Sequence, residues 1–367
     1  MRAAVLYEAN KPMVIEDLTQ DGPRANEVAV RIAATGICHS DYHVIDGSWN
    51  GPGYPLPIVL GHEAAGIVEE IGPNVTLTRP GDRVILSFAP SCGRCQMCVA
   101  GQPFLCRGMP AQPGTLWDGS RRLRLGSQEL NHFGKMSSFA ERVIVHESQT
   151  IPIAPEMPLD RAALIGCAVM TGVGAVLNTA QVEPGATMAV FATGGVGLNV
   201  IQGGTLVNAR KIIAVDLLDN KLAYAKAVGA THTINSSRED PVAAIKEITG
   251  GYGVDYAFDA IGSDKVSRQA YDSTRRGGTT VVVGMAPTGT QIPIPATIAG
   301  ESKTVKGCFY GSTRPAVDFP RLVDFYLQGR LQLDQILSRR YHFDEINEAF
   351  EAMGRGDNAR GVLVLEE

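Results

Sequence analysis

Four cysteines crowd into fifteen residues, as Cys92-x2-Cys95-x2-Cys98-x7-Cys106, and nothing else in the chain restricts its local fold as tightly. Thiolates at such short spacings suit a tetrahedral Zn²⁺, and Gly93 and Gly101 let a single loop wrap around the ion. Four protein ligands leave no open coordination position, so the spacing predicts a structural rather than a catalytic site. An iron–sulfur cluster is the competing reading, because the spacing of the first three cysteines resembles a ferredoxin run, although Arg107 stands where such a run has proline. Unliganded thiols are the third reading. Cys38, Cys167 and Cys308 bring the total to seven. With an odd count, and an N-terminus that reaches Glu8 before any useful apolar core, the expectation is a reducing, cytoplasmic location.

The chain changes rhythm near residue 170. Before it, short strands at 27–34, 58–60 and 81–86 are punctuated by proline and glycine, which predicts a compact β-rich domain with long loops. Residues 107–131 are polar and turn-rich, carry Trp117 and the basic pair Arg121-Arg122, and read as one long functional or interface loop. After it, strands at 187–192, 211–215, 254–259 and 279–284 alternate with helices at 196–207, 219–229, 243–249 and 265–274. That alternation implies βαβ units and a parallel sheet, hence an α/β fold. Residues 162–182, and those from Pro184 up to Arg210, are uncharged for membrane-spanning lengths. Their polar residues and dense glycines fit buried elements of an α/β core instead. With 33 basic and 38 acidic side chains the net charge is 33 − 38 = −5, which argues against a nucleic-acid partner. An apolar share of 44% permits a large core.

A second motif follows the strand at 187–192. Val190-Phe191-Ala192-Thr193-Gly194-Gly195-Val196-Gly197 matches the dinucleotide pattern G-x-G-x-x-G, with Ala192 in place of the first glycine. Gly194 allows backbone to approach a pyrophosphate, and Gly197 allows tight helix–strand packing. Were Ala192 to adopt positive φ, the strain would be about 1 kcal/mol. Asp216 lies 19 residues beyond Gly197, where an acid accepts hydrogen bonds from ribose hydroxyls and repels a 2′-phosphate. NAD(H) is therefore expected over NADP(H).

Cys38, His62 and Cys167 are far apart, and each alone reads as an ordinary core residue. Their surroundings raise their interest: Gly36-Ile37-Cys38-His39-Ser40-Asp41-Tyr42-His43 is dense in polar groups, Gly61-His62-Glu63 sets a base and an acid beside glycine, and Cys167 opens the glycine-rich half. With these motifs, the chain resembles the zinc-containing medium-chain alcohol dehydrogenases nearly end to end. The resemblance implies a GroES-like catalytic domain at 1–168, completed by 310–367, and a Rossmann domain at 169–309. It implies two zinc ions per chain, a catalytic one on Cys38, His62 and Cys167 and a structural one on Cys92, Cys95, Cys98 and Cys106, with Asp41 and Glu63 supporting the first. It further implies that Ser40 takes the proton of the alcohol and passes it through the cofactor ribose to His43. NAD(H) would be held by His39, Thr171, Gly194, Gly195, Val196, Gly197, Asp216, Lys221 and Arg360, and the substrate pocket lined by Trp49, Phe88, Phe133, Met285 and Tyr310.

The expected reaction is reversible hydride transfer to NAD⁺ from the zinc-bound alkoxide of a primary, aryl or medium-chain alcohol, giving an aldehyde. A glutathione-type formaldehyde dehydrogenase ranks second, because residues 47–54 hold no acid to grip a charged thiol adduct. Behind these stand a protein with permanently bound NAD, and a zinc- and dinucleotide-binding protein without turnover. The resemblance also implies a homodimer, with a tetramer as the variant, paired through the edge strand near 304–310. Cys308 lies outside every motif and is expected to be a buried free thiol.

Overall fold

The computed structural model describes residues 1–49, 51–108, 112–287 and 289–365. The chain divides into two compact units, Met1–Cys167 with Arg314–Gln328 and Leu337–Glu367, and Ala168–Thr313 with Gly329–Ile336.

The first unit is built from two sheets. One runs in the order Val14–Asp17, Arg2–Leu6, Ile58–Val59, Gln128–His132, Leu123–Leu125, Thr19–Gln20. The other runs Thr150–Pro152, Arg83–Leu86, Ala64–Ile71, Glu27–Gly36, Arg360–Val364, Leu337–His342, and Arg142–His146 also pairs with Glu27–Gly36. Glu27–Gly36 is central, and nine of its ten residues are buried, as its near-continuous apolar run requires. Close strand approach demands glycine at Gly66, where a Cβ would stand 2.0 Å from the Arg31 carbonyl oxygen.

Residues 107–131 are not one loop. They contain Leu123–Leu125 and the start of Gln128–His132, which pair antiparallel. Arg122 is fully buried there, in ion pairs with Glu27 and Asp118 at 2.8 and 2.6 Å. A basic residue in a polar stretch reads as solvated; pairing with an acid 95 positions away is what lets its charge go inside.

The second unit is a six-stranded parallel sheet in the order His232–Asn235, Lys211–Asp216, Thr187–Phe191, Val254–Asp259, Thr274–Val282, Thr304–Gly307. In chain sequence this is the 3-2-1-4-5-6 order of a doubly wound fold, whose strand order reverses beside Thr187–Phe191. The helices Gly195–Leu206, Asp219–Ala227, Pro241–Ile248 and Asp264–Ser273 connect the strands. Asp240 and Ser263 cap the last two, accepting from the N–H groups of Val242 and Val266. Ala189, Phe191, Ile213, Val215, Ile234 and Ala257 form the core. Among the described residues, one helix, Leu159–Ala180, is long and apolar enough to cross a membrane, and 78% of its most apolar window is buried inside the protein.

Candidate active site and its metal centres

Local backbone brings the first ligand set together. Cys38 stands in extended conformation just before the helix His39–Ile45. His62 follows Gly61, whose φ of +92° and crowding against Phe139 exclude a side chain. Cys167 lies in a π-helical turn, Ile165–Val169, a distortion frequent at functional sites.

The result is a buried cluster in which one ligand atom from each of Cys38, His62 and Cys167 lies within 4.8 Å of the others. The Cys38 and Cys167 sulfurs are 4.0 Å apart, and the Cys167 sulfur is 3.3 Å from His62 Nε2. Two sulfurs tetrahedrally bound to one zinc lie about 3.8 Å apart, so the spacing fits that ion. His62 Nδ1 faces the Asp41 carboxylate at 3.2 Å, which leaves Nε2 free to ligate. The Cys38 thiol is held well below its usual range, first by a hydrogen bond from Cys167 and then by the charge of His62. A metal takes the two cysteines as thiolates and His62 through an unprotonated Nε2, so binding there would release the protons that the empty cluster holds.

Glu63 is buried, and burial pushes its carboxyl up to about 7 against the opposing pull of Arg360, with which it forms an ion pair. A Cβ at Gly36 would come within 2.6 Å of the Glu63 carboxyl carbon, so glycine there keeps room for the acid. Arg360 therefore sits buried beside the ligand cluster. Ser40 and His43 share the helix His39–Ile45 one turn apart; both are half-buried, and His43 Nδ1 is buried without a hydrogen-bond partner among the described residues. His39 opens the same helix and is exposed.

Aromatic rings extend from the cluster. Phe88 and Phe133 present edges to His62 at 5.4 Å each, Phe133 meets Tyr54 at 5.8 Å, Tyr54 stacks on Trp49 at 5.4 Å, and Trp49 meets His43 at 5.0 Å. Trp49 and Tyr54 also border a half-open cleft of about 270 Å³ with Val44 and Leu56. Tyr54 is a ring that the sequence reading did not single out; its place between two aromatic candidates in sequence is the signal that could have found it. Met285 and Tyr310 belong to the second unit: Met285 is half exposed after the strand Thr274–Val282, and Tyr310 is buried with φ +52°.

The four-cysteine lobe closes on itself. The Cys95 sulfur lies 3.6 Å from that of Cys98 and 3.9 Å from that of Cys106, distances that fit a shared zinc and exclude a disulfide. Backbone N–H groups of Cys92, Cys95 and Gly108 point at sulfurs of the set. Such donors favour thiolates: the backbone N–H of Cys98 is the first cause that brings Cys95 down to about 6. Gly93 and Gly101 both take positive φ, at 68° and 76°, as wrapping requires.

In the second unit, Ala192 does take positive φ, +69°. Gly197 is obligatory, since a Cβ there would lie 1.8 Å from the Ala192 carbonyl oxygen. A Cβ at Gly194 would meet nothing within 4 Å, and no side chain caps the helix Gly195–Leu206, so its N-terminus is open to a phosphate at Gly195 and Val196. Asp216 ends its strand with the carboxylate oriented by four donors: Thr193 N–H and hydroxyl at 2.7 and 3.0 Å, and the Leu217 and Leu218 N–H groups at 2.8 and 3.1 Å. Thr171 is buried in Met170–Gly174, where Gly172 backs directly onto Val196 and Asn199. Lys221 lies in the first turn of Asp219–Ala227. Cys308 is a buried free thiol beside the Thr179 hydroxyl.

Residues 24–155 match the family model of the alcohol dehydrogenase GroES-like domain, and residues 195–328 that of zinc-binding dehydrogenases. The class-3 alcohol dehydrogenase of Cereibacter sphaeroides is 40% identical over 376 residues, 99% of each chain. S-(hydroxymethyl)glutathione dehydrogenase of Paracoccus denitrificans is 38% identical over 373 residues, again 99% of each. The crystal structure of benzyl alcohol dehydrogenase from Acinetobacter calcoaceticus matches with a TM-score of 0.93 at 36% identity, covering 100% of this chain and 99% of that one. A Cys-His-Cys cluster, a four-cysteine lobe, a dinucleotide fold and full-length relatives converge: the chain belongs to the zinc-containing medium-chain alcohol dehydrogenases, NAD-linked oxidoreductases that interconvert alcohols and aldehydes.

Proposed function

We propose that the preferred substrates are aryl-substituted primary alcohols, oxidised reversibly to aldehydes with NAD⁺. The observation that carries this reading is the run of rings Phe88, Phe133, Tyr54 and Trp49 beginning at His62. Stacked and edge-on contacts to such rings reward an aromatic substrate beyond the burial of its area. In this reading Cys38, His62 and Cys167 hold the catalytic zinc, which when bound supplies a Lewis acid that acidifies the alcohol. Asp41 fixes the tautomer of His62. Ser40 accepts the alcohol proton, and His43, one turn away, receives it on its way to solvent. Phe88 and Phe133 shield the reacting carbon from water.

The second unit binds NAD(H), with Gly194, Gly195, Val196 and Gly197 at the pyrophosphate and Asp216 and Lys221 at the adenosine ribose; Thr171, His39 and Arg360 complete the set. Met285 and Tyr310 belong to the substrate pocket. The first unit is the catalytic domain. A homodimer paired through the exposed edge strand Thr304–Gly307 and a cytoplasmic location are parts of the same proposal.

Steady-state rates at 340 nm with benzyl, cinnamyl, hexyl and methyl-branched alcohols test the substrate. Benzyl alcohol should give the highest kcat/KM, and a preference for straight-chain alcohols would sink the proposal. The class-3 relatives favour a second reading, oxidation of S-(hydroxymethyl)glutathione. Against it, the described residues in 47–54 carry no acid. Glutathione with formaldehyde belongs in the same panel.

A further inference from the structure

The adenosine end of the second unit carries a charge arrangement that the cofactor reading does not use. Asp216 and Asn235 are register partners on adjacent parallel strands, and the Ser236 N–H donates to the Asp216 carbonyl at 2.9 Å. Three residues beyond Asn235, Arg238 is exposed, with its guanidinium 2.5 Å from the Asp219 carboxylate. The other Asp219 oxygen accepts from the Asn235 side-chain amide at 2.7 Å. Asn235 is itself buried and locked, its carbonyl accepting from both the N–H and the hydroxyl of Ser237. Asp219 is thus fixed from below and engages the arginine from above. Leu217 and Leu218, between the two acids, are exposed and apolar.

We propose that Asp219 is a second selector against 2′-phosphorylated dinucleotides, acting by masking Arg238. The inference rests on the reading of Asp216 as the ribose acceptor. A 2′-phosphate at that ribose carries between one and two negative charges and is best bound by an arginine fork. Arg238 lies in the turn that follows Asn235, the register partner of Asp216, and Asp219 already occupies it. Removing Asp216 alone would relieve repulsion and still leave the cation engaged. An exposed ion pair contributes little to stability, so releasing Arg238 is cheap for the fold and costly only for discrimination.

The test measures Kd for NADPH and NADH by protein-fluorescence quenching. The proteins are wild type, Asp219→Asn, Asp216→Gly and the double variant, each with and without Arg238→Met. Asparagine at 219 keeps a carbonyl for the Asn235 amide; Asp219→Ser is the second variant should the first misfold. Asp219→Asn should tighten NADPH about fivefold, and about tenfold in the Asp216→Gly background, with a smaller change for NADH. Arg238→Met should cancel both gains yet change wild-type NADPH binding less than about twofold, the signature of a cation that is masked until Asp219 is gone. The gains should shrink in 0.5 M salt. An unchanged NADPH Kd in Asp219→Asn, or a gain that survives Arg238→Met, overturns the proposal. Failure of the underlying ribose reading shows separately, as Asp216→Gly leaving the NADH Kd where it was.

Discussion

At the scale of single residues, buried groups that depend on one protonation state give the most direct tests. His132 is buried, donates through Nδ1 to the Ser137 hydroxyl at 3.1 Å, and accepts the Arg122 N–H at Nε2, 3.2 Å away. Burial, then the charges of Arg122, Arg121 and Lys135, push it down to about 3. In the unfolded chain it titrates near 6.5, so the unfolded state binds the proton first. The stability it contributes is complete above about pH 6.5 and is lost as pH falls from there toward 3, at up to about 1.4 kcal/mol per unit. Denaturant midpoints between pH 7 and 4.5 should fall less steeply for His132→Gln than for wild type; parallel slopes would refute the assignment. Gly197→Ala drives a Cβ into the Ala192 carbonyl, so the turn must open, and NADH affinity should drop by at least about a hundredfold. Fluorescence titration checks it. The four clustered cysteines and the glycines were legible in the sequence because their chemistry belongs to residue type and spacing, whereas Cys38, His62 and Cys167, far apart in the chain, were reached only through the family resemblance. Arg122 and His132 were not, because what makes them buried is a partner far away in sequence.

At the scale of elements, four of the six strands of the parallel sheet were legible, since βαβ periodicity is local; the short strand His232–Asn235 was not, and Thr274–Val282 begins five residues before the expected 279. Val254–Asp259 falls where the pattern put it, and Lys211–Asp216 differs by one residue. The misreading of 107–131 has a physical origin: Leu123–Leu125 is too short to show alternation and is a strand because it pairs with Gln128–His132 on one side and Thr19–Gln20 on the other. Nor does any local pattern announce the π-helical turn around Cys167. The cysteine lobe is mostly unburied, with helices of four and three residues, so the metal rather than a core must order it. Cys95→Ser should lose one zinc per chain and lower the melting temperature by several degrees. Calorimetry together with elemental analysis decides; full thermal stability with the metal gone would mean that the lobe is not structural.

For the whole molecule, elemental analysis should return two zincs per chain, from the two ligand sets. Cys167→Ser should abolish turnover while NADH still binds, because that thiol belongs to the first unit and the glycine turn to the second. Loss of NADH binding together with turnover would contradict that separation. The strand Arg360–Val364 pairs with the centre of the first unit at Gly36, Thr35 and Ala34 and brings Arg360 to Glu63. A chain emerging from the ribosome cannot complete its first unit until Arg360–Val364 is made, whereas the second unit, which needs nothing beyond Ile336, is able to close earlier. For that interval the first unit carries an unpaired strand edge and an uncompensated acid, the conditions under which nascent chains associate wrongly. A chain stopped before Arg360 should therefore partition into the insoluble fraction, while the same stop in a chain supplied with the missing strand as a separate peptide should recover part of it.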